Sequence, residues 1–324
     1  YYIYSNIKIT DVIDRSSKRD TKLELIYKIN YEDGIHLNCK RIITYKNKIS
    51  QVLVLILVML FTSPLIFPQS HKIMSYNIRY DNEWDKVNSW EIRRDEVIKL
   101  FYEYDTGIIG IQEGLLNQVQ YINDAFDDYD YFGVGRNDGK DNGEFCSIFY
   151  NKTRYDLQKS STFWLSETPG EISVGWDAAL ERICTCGLFL DKKKGQDFWV
   201  FNTHFDHIGS IAREKSAELI LKKIASLNHR NLPVIIMGDF NSIPGSPPIE
   251  KIKTKLYDSF EVSIEKPKGP VGTYNAFNPS MPIDKRIDYI FTKDFKVLSF
   301  HHIDDRLYDN NYISDHLPVL IHAN

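Results

Sequence analysis

One stretch of the chain decides the fold: Val234-Ile235-Ile236-Met237-Gly238-Asp239-Phe240-Asn241-Ser242. An apolar, β-branched run that ends at a glycine predicts a buried strand. The run stops at an acid and an amide two positions apart, and alternate residues of an extended segment point to the same side. A carboxylate buried beside a core strand is costly unless a cation or hydrogen-bond donors compensate it. We therefore expect Asp239 and Asn241 to share one face and to have partners elsewhere in the chain; the alternative is an ordinary turn.

Other predicted strands end in polar side chains in the same way. These residues are Asn77, Glu113, His204 with Asp206, Asp239 with Asn241, Asp288, and Asp315 with His316. One such residue alone is more often a capping or solvated side chain, but six segments with one pattern predict a shared site. The four cysteines show no spacing typical of zinc. Carboxylates, amides and histidines favour a hard ion such as Mg²⁺ or Mn²⁺, and such ions assist the hydrolysis of phosphate esters.

The composition indicates a folded protein with an acidic main body. The 324 residues include 43% hydrophobic and 13% aromatic side chains, which is enough for a sizeable core. The net charge of −4 conceals an imbalance, because residues 71–324 carry more acidic than basic side chains and residues 1–70 carry the reverse. Tight nucleic-acid binding depends on clustered basic side chains. The acidic body therefore disfavours a duplex-binding nuclease.

The N-terminal part of the chain is expected to stand apart from the rest. Residues 1–45 are polar and weakly periodic, and we expect an extension that need not belong to the mature protein. Residues 46–70 combine basic residues, an apolar core and small residues, which predicts a secretory signal peptide. A retained membrane anchor over residues 49–67 is the alternative. We therefore expect an exported protein, periplasmic or secreted, with its catalytic domain over residues 71–324.

Strands and helices are mixed along that domain without a regular repeat. We expect strands over residues 71–80, 107–113, 129–136, 145–150, 182–190, 198–202, 232–241, 284–292, 296–303 and 317–323, and helices over 89–105, 116–126 and 210–227. Helices dispersed among many strands predict two packed sheets with the helices outside them.

Six segments resemble, in the correct order, the signatures of the endonuclease/exonuclease/phosphatase family. They are Ser75-Tyr76-Asn77-Ile78, Ile111-Gln112-Glu113, Asn202-Thr203-His204, Met237-Gly238-Asp239-Phe240-Asn241, Arg286-Ile287-Asp288-Tyr289-Ile290-Phe291 and Ser314-Asp315-His316-Leu317-Pro318-Val319. The fourth and sixth signatures together are highly specific. The resemblance implies an α/β fold, a four-layer sandwich of two packed, mainly antiparallel sheets flanked by helices, with the site at one edge of the sheets.

The resemblance also implies which residues hold the metal. Glu113 is expected to be the principal Mg²⁺ ligand, and Mn²⁺ is the alternative ion. Asn77 is expected to help Glu113 hold the metal or the phosphate, and Asp315 to act as a further acid on the metal side.

The remaining matched residues are expected to act on water and phosphate. Asp239 is expected to orient or deprotonate the attacking water, and Asn241 to contact the phosphate in the transition state. His316 is expected to stabilise the phosphoryl oxygens while Asp288 holds its imidazolium. His204 is expected to donate a proton or to bind phosphate.

The chain departs from the repair enzymes of the family at two positions. Exonuclease III-like enzymes have an acid two residues after the asparagine of the first motif, whereas this chain has Arg79. They commonly have tyrosine at the position of His204. These differences disfavour repair of abasic sites.

Further segments resemble a largely bacterial branch of the family. Trp164 and Trp176 could form an aromatic platform for a sugar, base or lipid headgroup, or could simply pack a loop. Arg182 could clamp a phosphate, since guanidinium binds phosphate through two hydrogen bonds, or could form a structural salt bridge. Asp206 is taken with Arg182 and Trp176 as a candidate substrate-binding residue.

The favoured function is Mg²⁺-dependent hydrolysis of a phosphoester, by a phosphodiesterase or phosphatase. A small molecule or lipid headgroup is favoured over nucleic acid as substrate, and no protein partner is predicted. A secreted nuclease is the first alternative. A binding module without catalysis is disfavoured, because such a module should lack at least one of four residues that are all present here, namely Glu113, Asp239, Asn241 and His316.

Overall fold

The computed structural model describes residues 70–324 in full and the backbone of residues 6–17, 20–30 and 36–45. These three N-terminal segments form an antiparallel sheet of β1 (Asn6–Ser17), β2 (Asp20–Asn30) and β3 (His36–Tyr45), with β2 in the centre. The weak periodicity of the segments did not reveal these strands. The predicted leader over residues 46–70 lies outside the described residues, except for Ser70. The chain divides into two compact units, residues 1–67 and 68–324.

The second unit contains twelve strands and five α-helices in its described residues. The strands are β4 (His71–Asn77), β5 (Ile108–Gln112), β6 (Tyr129–Phe132), β7 (Ile148–Asn151), β8 (Tyr155–Trp164), β9 (Ile183–Asp191), β10 (Gln196–His204), β11 (Val234–Asp239), β12 (Tyr257–Asp258), β13 (Asp288–Lys293), β14 (Val297–His302) and β15 (Val319–Ala323). The helices are α1 (Trp90–Tyr104), α2 (Leu116–Asp124), α3 (Ser210–Leu227), α4 (Pro247–Lys253) and α5 (Ser259–Val262), with a 3-10 helix over Glu83–Asn88. None of the helices in the described part of the chain has both the length and the apolar character needed to cross a membrane.

The strands form two six-stranded mixed sheets. One sheet has the order β12-β13-β11-β10-β9-β8, and the other has the order β14-β15-β4-β5-β7-β6. Only β10 with β11 and β4 with β5 are parallel neighbours, so both sheets are mainly antiparallel, as expected. An antiparallel strand starts at the edge where its neighbour ends. The polar ends of β4, β5, β10 and β11 therefore meet the starts of β9, β13 and β15 at one edge.

Apolar side chains pack in three layers, between the sheets and under the helices on both outer faces. Strand β11 shows the arrangement, because successive residues point to opposite faces. Ile235 and Met237 lie in the core between the sheets. Val234 and Ile236 lie in the core beneath α3 and α4. A third core joins α1 and α2 to the outer face of the other sheet. The predicted four-layer α/β sandwich is confirmed.

Several elements escaped prediction or are shorter than predicted. Strand β8 was missed because it lies at a sheet edge, where residues 158–161 are all exposed and give no hydrophobic alternation. The short β12, α4 and α5 were also missed. The strand predicted over residues 284–292 begins only at Asp288.

Candidate active site

The central strand β11 ends at Asp239 in a fully buried position. All six residues of the strand are buried. Gly238 has φ of 148°, and a Cβ atom at this residue would lie 1.9 Å from the Thr203 carbonyl oxygen, so only glycine fits there. Asn241 lies beyond the strand with φ of 45°, and its backbone N–H donates to Asp239 Oδ1 at 2.8 Å. The acid and the amide therefore reach one site through a turn and not through strand alternation.

A cavity with a volume of about 730 Å³ opens above this strand end. The predicted site residues that line it are Glu113, Arg182, His204, Asp239, Asn241, Asp315 and His316. Asn77 and Asp288 do not line it but hydrogen-bond to residues that do. Side chains from five distant segments thus meet in one cavity, and two further predicted residues support them from outside the lining.

Asn77 joins two acids of the cavity. Its Nδ2 donates to Glu113 Oε1 and to Asp239 Oδ2, both at 3.0 Å. Its own oxygen accepts the backbone N–H of Arg79 at 3.1 Å. Glu113 has φ of 65°, which turns the chain at the end of β5. Asn77 thereby fixes the positions of Glu113 and Asp239 relative to each other.

Arg79 contributes a fixed positive charge to the same region. Its Nε donates to Asp85 Oδ2 at 2.9 Å and its Nη2 to Asp85 Oδ1 at 3.0 Å. Its Nη1 lies 3.8 Å from Asp315 Oδ2 and 4.0 Å from Glu113 Oε2. The arginine that replaces the acid of the repair enzymes therefore partly balances the charge of two acids in the site.

His316 and Asp288 form a buried pair beside Asp239. His316 Nδ1 donates to Asp288 Oδ2 at 2.8 Å, and His316 Nε2 lies 3.8 Å from Asp239 Oδ2. Thr273 Oγ1 also donates to Asp288 Oδ2. Burial disfavours the imidazolium, but the carboxylates of Asp288 and Asp239 outweigh it and raise the pKa of His316 well above its usual range. His316 therefore presents a positive charge to the cavity.

Asp239 carries a charge that the protein compensates only in part. Burial, and then repulsion from Asp288, raises the pKa of Asp239 to about 7. Two sets of side chains bring potential ligand atoms within 4.8 Å of one another, namely Glu113, His204 and Asp239, and Asp239, Asp288 and His316. The acids outnumber the cations around Asp239, and carboxylate oxygens suit Mg²⁺ or Mn²⁺. The residues present therefore fit a divalent cation, with Glu113 as the acid that would hold it and Asp239 beside it.

His204 is neutral in this environment. Burial, and then the charges of Arg182 and Arg136, lower its pKa well below the usual range. Asn241 Nδ2 donates to His204 Nε2 at 3.1 Å, which makes Nδ1 the protonated nitrogen. That nitrogen is buried without a hydrogen-bond partner among the described residues. His204 therefore acts as a neutral acceptor toward Asn241.

Sequence reasoning missed Arg136 and Glu144, which form one wall of the cavity. Arg136 donates from Nη1 and Nη2 to the two carboxylate oxygens of Glu144 at 2.7 and 2.8 Å. Phe145 pairs with Gly114, which places Glu144 close to Glu113. The only signal for Glu144 in the sequence is its position directly before an apolar run, whereas most of the predicted site residues follow such runs.

The three candidate substrate-binding residues have different surroundings. Arg182 lines the cavity, and its Nε donates to Asp206 Oδ2 at 3.3 Å. Asp206 is buried outside the lining and also accepts the backbone N–H groups of Ile208 and Gly209. Trp176 does not line the cavity. Arg182 therefore belongs to the site, whereas Asp206 lies behind it and holds its guanidinium in place.

Trp164 also lies away from the cavity. Its ring is buried in a small cluster with Cys146 and Ile183, and its Nε1 donates to the Arg136 carbonyl oxygen at 2.9 Å. The two tryptophans therefore do not form an aromatic platform in the cavity, and Trp164 packs the core.

Comparison with known proteins identifies the family. The model of the endonuclease/exonuclease/phosphatase family matches residues 74–316. The chain belongs to this family. A mannosyl-6-phosphatase from Bacteroides thetaiotaomicron is 38% identical, with a TM-score of 0.76 over 79% of this chain and 100% of that chain. The endonuclease/exonuclease/phosphatase from Bacteroides vulgatus is 36% identical, with a TM-score of 0.75 over 79% of this chain and 98% of that chain.

A viral relative matches over a similar length. The uncharacterized protein L388 of Acanthamoeba polyphaga mimivirus is 28% identical over 271 residues, which are 77% of this chain and 98% of that protein. Members of the endonuclease/exonuclease/phosphatase family are phosphoesterases that depend on divalent metals. The expected family resemblance is confirmed.

Proposed function

We propose that this chain is a divalent-metal-dependent hydrolase of small-molecule phosphoesters. The observation that carries the proposal is the position of Asp239, between the metal-side acid Glu113 and the His316–Asp288 pair, in one cavity. In this place Asp239 lies beside the acid that would hold the metal and beside the histidine that would bind the phosphoryl oxygens. The likeness to a mannosyl-6-phosphatase at 38% identity supports a phosphate ester of a small molecule.

The residues suggest a division of labour for the reaction. Asp239, with its pKa raised to about 7, can take a proton from an attacking water near neutral pH. The imidazolium of His316, held by Asp288, can donate to a phosphoryl oxygen. Both N–H groups of Asn241 Nδ2 are engaged within the protein, by His204 Nε2 and by the Phe205 carbonyl oxygen. A divalent cation, when bound by Glu113, would neutralise charge on the phosphoryl oxygens.

The cavity supports a small substrate over a nucleic acid. Its volume of about 730 Å³ is in the range of small-molecule sites. Three of the four basic side chains that line it are paired with acids: Arg79 with Asp85, Arg136 with Glu144 and Arg182 with Asp206. The fourth, Lys285, is exposed and forms no salt bridge among the described residues. Little unpaired positive charge is left to neutralise successive phosphates of a nucleic acid.

The leader pattern at residues 46–70 supports the further proposal that the enzyme is exported. Mass spectrometry of the protein produced in its own cell would locate the mature N-terminus. A mature chain that still begins before residue 46, recovered from the cytosol, would contradict export.

A substrate panel tests the proposed activity. The protein would be assayed with Mg²⁺ and with Mn²⁺ on sugar phosphates, phosphoinositides, sphingomyelin, DNA and RNA. We expect the highest kcat/KM on small phosphate esters and none after EDTA treatment. A preference for DNA or RNA would favour the nuclease alternative. Activity on none of these substrates would overturn the proposal.

A further inference from the structure

Arg79 lines the cavity in a position that several contacts fix. Its φ of 59° is uncommon for a residue with a side chain, and such a backbone persists only where the surroundings hold it. Its N–H donates to Asn77 Oδ1, and its carbonyl oxygen accepts from Gln118 Nε2 at 2.9 Å. Asp85 holds the other end of the side chain through Nε and Nη2 of the guanidinium. The positive charge of Arg79 is therefore a fixed part of the cavity.

The free corner of this guanidinium borders two carboxylates. Because Asp85 accepts from Nε and Nη2, Arg79 Nη1 is left near Glu113 Oε2, at 4.0 Å, and near Asp315 Oδ2, at 3.8 Å. A divalent cation that took oxygens from both acids would share this space with Nη1. The arginine side chain is only 24% exposed, so water screens the repulsion between the two cations weakly. Glu113 and Asp315 are therefore blocked as a joint cation site.

The other possible ligand sets leave room for one ion. Among the described residues these sets are Glu113, His204 and Asp239, and Asp239, Asp288 and His316. Neither set includes Asp315. Asp288 in the second set is 1% exposed and does not line the cavity, and its Oδ2 already accepts from His316 and Thr273. Only the first set, whose three members all line the cavity, is open to a cation.

The position of Arg79 matches the task of a second ion. Two-metal sites hold their ions roughly 3.5–4 Å apart, so that each ion neutralises charge beside the other. A guanidinium supplies such a charge permanently, because it is not deprotonated in proteins. We infer that Arg79 takes the place of a second divalent cation beside Glu113, so that the site holds one metal ion. This inference rests on the proposed function and specifies its metal content.

Electron paramagnetic resonance of bound Mn²⁺ tests the inference without an activity assay. A lone Mn²⁺ ion and two ions about 4 Å apart give different spectra, because close ions couple their spins, whereas ions scattered on the surface do not. We expect the wild type, titrated with Mn²⁺, to show an uncoupled ion and no coupled pair. Arg79→Met keeps an unbranched side chain but removes the charge. It should bind a second ion on the order of 100-fold or more tightly than the wild type, and show a coupled pair.

Arg306→Met is the matched control. Arg306 binds Asp304 through Nε and Nη2, as Arg79 binds Asp85, but it lies outside the cavity lining. This variant should give the wild-type spectrum. A coupled pair in Arg306→Met would overturn the inference, because coupling would then not depend on Arg79.

The remaining outcomes separate the inference from the proposed function. A coupled pair in the wild type, or none in folded Arg79→Met at saturating Mn²⁺, overturns the inference and leaves the proposed function standing. A wild type that binds no Mn²⁺ overturns the proposed metal dependence together with the inference. Thermal melting shows whether Arg79→Met folds. If it does not, Arg79→Gln, which can still donate a hydrogen bond to Asp85, takes its place with the same expected result.

Discussion

The two ends of strand β4 lie beside buried histidine–carboxylate pairs with opposite properties. At its start, His71 Nδ1 lies 3.1 Å from the Tyr155 hydroxyl and 3.7 Å from Asp191 Oδ2. Arg154 donates to the same Asp191 oxygen from Nε and Nη2 at 3.3 and 3.0 Å, and the Lys193 backbone N–H donates to Asp191 Oδ1 at 2.8 Å. Here the protein supplies every partner of the acid.

The pairs differ in charge as a result. Burial, with the charges of Lys194 and Arg154, lowers the pKa of His71 to about 3, so this histidine is neutral. At the other end, burial is outweighed and the pKa of His316 rises, while the pKa of Asp239 rises to about 7. A structural cluster compensates its own charge, whereas the candidate active site leaves charge for a ligand to compensate.

The largest expected effect is the loss of activity in Asp239→Ala. Removal of this proposed general base should lower kcat/KM on a small phosphate ester on the order of 10³-fold, the usual effect of removing a general base. Circular dichroism should show an intact fold. Asp191→Asn is the matched control, and we expect its activity below the melting temperature to stay within about threefold of the wild type. Wild-type turnover in Asp239→Ala would show that the site is misassigned.

Asp191→Ala should have the largest effect on stability. This change leaves the guanidinium of Arg154 without its buried carboxylate, which typically costs about 3–5 kcal/mol. Urea denaturation followed by tryptophan fluorescence measures the free energy of unfolding. A loss below about 1 kcal/mol would mean that the His71 end is not a stabilising cluster.

Metal binding should stabilise the protein through the Asn77 end of β4, beside Glu113 and Asp239, and not through the His71 end. Mn²⁺ at about 100 times its dissociation constant should add about 2.7 kcal/mol to the free energy of unfolding, and EDTA should remove this gain reversibly. The gain should disappear in Glu113→Gln and persist in Asp191→Asn. Stabilisation that is equal in the two variants would place the metal elsewhere. The measurement is a thermal melt with and without the ion, and so does not depend on activity.

The smallest expected effect is the pH dependence of the free energy of unfolding that arises from His71. The pKa of His71 falls from 6.5 in the unfolded chain to about 3 in the folded protein. The unfolded state therefore takes up a proton first as pH drops below 6.5, and stability is lost from there down to about pH 3. Between pH 6.5 and 4.5 the wild type should lose about 2 kcal/mol more than His71→Phe. Parallel stability curves for the two proteins would contradict a buried neutral histidine.

The site was predictable where polar residues end apolar strands. Asn77, Glu113 and Asp239 follow such runs, and Asp288 opens one within a recognisable motif, so their side chains could be placed at one edge of the sheets. Glu144 gave a weaker signal, because it precedes its strand and belongs to no motif. Its place beside Glu113 depends on the pairing of Phe145 with Gly114, which no spacing along the chain reveals.

The sequence by itself determined the family, the two-sheet sandwich and the residues that meet at its edge, because hydrophobic runs and their polar ends are local patterns. Only the tertiary structure decided which charges are compensated. Asp191 and Asp239 both end buried strands and look alike in the sequence. Their difference arises from neighbours far apart in the chain, Arg154 for one and Asp288 with His316 for the other. Electrostatic energy depends on distances in space, and those distances exist only after the chain has folded.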